Sequence, residues 1–101
     1  MTWTVDAQCS GDARGGWTCF ATIREGDRIV SEHEVRVSPA DLARLASTAH
    51  DPTRLVEQSF VFLLEREPPT SILRTFDLTV IGRFFPEYEA EIRRRIIAAD
   101  V

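Results

Sequence analysis

Apolar and polar residues alternate strictly from Trp3 to Cys9, and the same alternation resumes from Trp17 to Ile23. A period of two belongs to a β-strand with one covered face, because successive side chains leave the backbone on opposite sides. Between the two runs, Ser10 to Gly16 holds three glycines, turn material that accepts positive φ. Together the runs read as a hairpin. With Cys9 opposite Cys19, Ala7 meets Ala21 and Val5 meets Ile23, so one register suits the whole pair. Phe20 is then the one large apolar residue on the other face. Arg24 to Arg28 forms the next turn, and Gly26-Asp27 suits a type II′ loop. Ile29 to Val37 is a third run, with Ile29, Val35 and Val37 in one set and Glu32, Glu34 and Arg36 in the other. A one-residue slip would turn three charges inward, so a bulge near Val30 or a longer loop is expected. The predicted sheet is a three-stranded antiparallel meander.

From Ser38 the period lengthens. Ser38-Pro39-Ala40-Asp41 is a helix start, with Ser38 as N-cap, proline in the first turn and an acid near the positive end of the helix dipole. Leu42, Leu45, Ala46 and Ala49 form the stripe of this short helix, and His50 is placed at its C-terminal end. Asp51-Pro52 starts a longer helix that must stop before Pro68-Pro69. Its centre, Phe60-Val61-Phe62-Leu63-Leu64, points apolar groups all round the helix and so needs cover on more than one side. Val56, Phe60, Leu63 and Leu64 are expected against the sheet, with Leu55 and Phe62 against a C-terminal helical group. Thr70 or Ser71 and Asp77 are read as caps of short turns. Phe85-Pro86-Glu87 starts a last helix whose buried stripe is Tyr88, Ile92, Ile96 and Ala99. The expected fold is α+β, one domain over residues 1–101: the meander packed against a long helix and a C-terminal helical group.

The stretch from Leu55 to Tyr88 holds five of the six phenylalanines and the only tyrosine. Its pattern of Phe60-x-Phe62-Leu63-Leu64-Glu65-Arg66-Glu67-Pro68, Phe76-Asp77-Leu78 and Phe85-Pro86-Glu87-Tyr88 resembles a group of small bacterial proteins to which no activity is attached. The resemblance covers about the last half of the chain. It implies a bacterial, cytoplasmic, single-domain protein and supplies no catalytic or cofactor residue.

Composition narrows the classes. A net charge of −4, with all twelve basic residues arginine and no basic face apart from Arg93-Arg94-Arg95, argues against a nucleic-acid binder. No apolar run reaches the ~18 residues of a membrane span, and the N-terminus lacks signal-peptide character. The expectation is therefore a cytoplasmic protein with no membrane and no nucleic-acid partner.

Candidate chemistry is sparse, and no motif names a reaction. Cys9, Cys19 and His33 fall short of the four ligands of a closed zinc site. Both cysteines are expected to be reduced small core residues, with no metal and no cofactor. Arg93-Arg94-Arg95 is read as paired to Glu89 and Glu91 one helical turn earlier, and Arg66 is expected to pair with Asp77. Glu65, Glu67, Asp77 and Arg83 are kept as a candidate charged pocket for a small ligand or a minor enzymatic activity. Phe84, Phe85 and Tyr88 crowd around Pro86 and are the candidate interface of a self-associating, non-enzymatic module, a homodimer or a partner of another protein.

Overall fold

A computed structural model describes residues 2–99, with side chains described through Ile97. Strands β1 (Thr4–Gly11), β2 (Trp17–Glu25) and β3 (Arg28–Val37) form the antiparallel meander. Helix α1 (Pro39–Leu45) follows, then α2 (Thr53–Leu64), a 3₁₀ turn (Pro69–Ser71), strand β4 (Thr75–Asp77), α3 (Val80–Phe84) and α4 (Tyr88–Ala99). The strand order is β1-β2-β3-β4, and β4 runs parallel to β3.

The sheet is thus four-stranded and mixed, which corrects the three-stranded meander. Thr75-Phe76-Asp77 is too short to carry a period, and Asp77, expected to cap a turn, lies in the strand itself. It becomes a strand because β3 has a free edge there: Glu34 N–H donates to Arg74 O at 2.7 Å and Leu78 N–H to Arg36 O at 3.0 Å.

The hairpin register is the expected one, with Val5 opposite Ile23, Ala7 opposite Ala21 and Cys9 opposite Cys19. Gly26 takes a φ of +61° at the first position of the second loop, which only glycine adopts freely. The bulge falls at Val30: Ile23 faces Ser31 while Arg24 faces Ile29. It keeps Val35 and Val37 in the core. Ile29, expected with them, lies across from Arg24 beyond the bulge and is half exposed.

The cysteines were expected to be reduced, and this is corrected. Cys9 and Cys19 are joined in a disulfide. Their Cα atoms are 4.0 Å apart, the close spacing of a non-hydrogen-bonded antiparallel pair, where facing side chains come nearest.

Helix α2 lies across β1 and β2. The small core-facing side chains Ala7, Ala21 and the cystine let it approach. Phe60 reaches past them, its ring 5.2 Å from that of His33 and 6.0 Å from that of Phe76. The opposite side of α2 carries Leu55, Ser59 and Phe62 against α4, and the Phe62 ring stands edge-on to Tyr88 and Phe85. The start of α1 is as read, with Asp41 N–H donating to the Ser38 hydroxyl. Asp51 accepts from Thr53 N–H at the start of α2. Helix α1 stops at Leu45, so His50 is not at its end. The stripe of α4 is buried at Tyr88, Ile92 and Ile96, while the Ala99 side chain lies outside the described residues.

Candidate functional site

Two surfaces of the described residues are candidates: the outer edge of β1 and a groove beside α3. The edge follows from the ladder. In an antiparallel strand, alternate residues turn both N–H and C=O toward the same neighbour. Asp12 N–H donates to Gly16 O at 2.8 Å, continuing the ladder, so even-numbered residues of β1 bond β2. The close Cys9–Cys19 pair says the same from the other parity. Val5, Ala7 and Cys9 therefore direct their backbone groups away from β2, over an edge that no other strand among the described residues occupies. Their side chains, with Trp3, face the core but are only partly covered, whereas Cys19, Ala21 and Ile23 behind them are fully buried. The opposite edge of the sheet is capped by β4.

The groove has a volume of about 300 Å³. Leu63, Ile72, Phe76 and Ile81 are its buried floor, and Phe84 and Leu73 are its exposed lips, 68% and 52% accessible. Phe85 lines it half-buried. Its polar members are Glu67 and Ser71. The loop that carries Leu73 is held from below by His33, whose Nδ1–H donates to Leu73 O at 2.7 Å. Since a carbonyl only accepts, Nε2 is the acceptor for the Ser31 hydroxyl at 2.9 Å. Burial pushes the His33 pKa below its ordinary value, against the pull of the Leu73 carbonyl.

The candidate aromatic interface separates into three environments. Tyr88 is core, 1% exposed, with its hydroxyl 2.7 Å from that of Ser59. Phe85 packs on Phe62, and Phe84 alone of the three stands in solvent. Burial also pushes the Tyr88 phenol well above its ordinary value.

The candidate charges do not converge either. Arg66 does not reach Asp77. It lies over the Phe62 ring, 3.6 Å from the centroid, and pairs with Glu87 at 3.2 Å, because the end of α2 docks on the start of α4 and not on β4. Glu65 takes Arg95 at 2.6 Å, and Glu91 takes both Arg94 and Arg95. These arginines hold Glu65 and Glu91 below the ordinary carboxylate range, Glu91 down to about 2. Glu89 pairs with Arg93 as expected, and also with Arg44 of α1. Of the four pocket candidates, Glu67 alone lines the groove. Among the described residues its carboxylate has no ion-pair partner, and neither has Arg83.

Among the described residues no cluster of three or more His, Cys, Asp or Glu side chains is placed to hold a metal, and no helix is long and apolar enough to cross a membrane. No protein-family model, curated protein or solved structure matches the chain.

Proposed function

We propose that this chain is a small non-enzymatic interaction module that self-associates through strand β1. The observation that carries the reading is the open edge of β1, with Val5, Ala7 and Cys9 presenting unpaired N–H and C=O groups above a half-covered apolar face. Such an edge is a template for another strand, and β1 has neither the lysine nor the proline that guards exposed edges. A second copy is the occupant its chemistry fits. A two-fold axis through Ala7 sets odd residues against odd, so that Ala7 exchanges two bonds with Ala7 of the partner subunit and Val5 exchanges two with Cys9 of the partner subunit. On the outer face the same register sets Asp6 against Gln8 of the partner subunit. An axis through Asp6 would oppose two carboxylates, and one through Gln8 would set Gln8 against Gln8 of the partner subunit.

Sedimentation equilibrium tests this directly. Wild type is expected to be a dimer. Ala7→Pro is expected to be a folded monomer, because it removes an N–H that points outward and leaves the bonds to β2 in place. A monomeric wild type at high concentration removes the reading. The groove supports a second function, ligand binding, through the one carboxylate that the ion-pair network leaves in it.

A further inference from the structure

We infer that the groove between α2, the 3₁₀ turn and α3 binds a small amphipathic cation, an aromatic or aliphatic body carrying an ammonium group. This rests on the ligand-binding reading and is independent of self-association through β1, which lies on the other edge of the sheet. The volume of about 300 Å³ is at the lower end of small-molecule sites. The lining is apolar apart from Glu67 and Ser71, so the body of the ligand is apolar and its polar group is met at one place.

Charge selects the class. Glu65, Glu87, Glu89 and Glu91, which surround the α2–α4 contact, each hold at least one arginine. Glu67, one turn past the end of α2 and half-buried at the groove, holds none among the described residues. Its backbone is fixed by the N–H bond to Leu63 O at 2.9 Å, so the carboxylate is presented from an anchored position. A carboxylate beside an apolar cavity lacks part of its hydration and gains most from a cation that brings its own apolar surface. The Phe84 and Phe85 rings flank the same space, and aromatic faces attract cations and repel anions. Ser71 can accept a further ammonium hydrogen bond.

Three probes of one shape test this: 3-phenylpropylammonium, 3-phenylpropan-1-ol and 3-phenylpropanoate, titrated calorimetrically into the full chain. The ammonium is expected to bind about tenfold more tightly than the carboxylate, the range for a partly exposed ion pair gained on one side and repelled on the other, with the alcohol between them. Glu67→Gln is expected to bring the three within about twofold while keeping the alcohol's affinity. Methyl shifts of Ile72 and Ile81 should move with each probe and locate it in the groove. Equal binding of all three probes by wild type overturns the inference, as does carboxylate preference. So does a preference that survives Glu67→Gln, or shifts confined to other parts of the chain. None of these outcomes bears on the oligomeric state.

Discussion

The Tyr88 hydroxyl sits 2.7 Å from the hydroxyl of Ser59, and both residues are fully enclosed between α2 and α4. Ser59 donates its own proton to Leu55 O at 2.6 Å, so Tyr88 is the donor between the two hydroxyls. This order makes the pair asymmetric. Tyr88→Phe removes one neutral hydrogen bond and should cost about 1 kcal/mol. Ser59→Ala strands a buried phenol and should cost about 1–3 kcal/mol, offset in part by the better helix propensity of alanine. The double variant is expected to be more stable than Ser59→Ala alone. A denaturant double-mutant cycle with no coupling would contradict the bond order.

Because Tyr88 is the only tyrosine, its ionisation can be read from the phenolate absorbance without assignment. Its folded pKa is raised above the unfolded value near 10, so the stability it contributes is complete below pH 10 and is lost as pH rises further. The phenolate is expected to appear only as the protein unfolds, and the two transitions should coincide. A phenolate titration near pH 10 with the far-ultraviolet dichroism unchanged would place the ring in solvent.

His33 gives the opposite sign at the acid end. Its folded pKa lies below the unfolded value near 6.5, so the unfolded chain binds the extra proton first. Stability is complete above pH 6.5 and falls as pH drops toward the folded pKa. The groups facing the ring are Arg74, Ser31, the Leu73 carbonyl and Phe60, with Glu32 and Glu34 on the same strand. Urea midpoints between pH 7 and pH 5 should therefore decrease for wild type and flatten for His33→Gln.

The cystine closes a sequence separation of 10 residues. In the chain-entropy description such a loop is worth about 3 kcal/mol. Thiol titration of the unfolded, unreduced protein should find no free thiol, and reduction should lower the unfolding midpoint without changing the strand register. Two free thiols would restore the sequence expectation.

The proposed register of β1 can be tested by charge on an exposed position. Gln8→Lys sets a lysine against Asp6 of the partner subunit twice per dimer and should tighten association, while Gln8→Asp opposes carboxylates and should loosen it. Each substitution lies on the outer face, where the monomer's stability should change little. Loosening by both would move the axis from Ala7 to Gln8.

Phe60→Ala and Leu63→Ala should each cost about 2–5 kcal/mol, since both side chains are buried between α2 and its neighbours and would leave a cavity. An unchanged denaturant midpoint would remove α2 from the centre of the core.

Local physics determined much of this protein by itself. The period of two set the parity of the β1–β2 register, since a one-residue slip would have put polar residues in the core, and the observed pairing of Cys9 with Cys19 keeps that parity. Ser38-Pro39 marked the start of α1, and the run from Phe60 to Leu64 announced a helix covered on two sides. The Glu89–Arg93 and Glu91–Arg95 pairs within α4 followed from i,i+4 spacing alone. The tertiary structure decided what depends on neighbours far along the chain. β4 exists because β3 offered a bonding edge to three residues with no pattern of their own. Arg66 chose Glu87 over Asp77 because α2 ends against α4. Phe84, Phe85 and Tyr88 lie within five residues, yet the turn into α4 sends one to the exposed lip of the groove, one to its half-buried wall and one into the core. Glu67 became the groove's carboxylate for the same reason: Glu65 and Glu87 pair with arginines across the α2–α4 contact, and among the described residues Glu67 pairs with none.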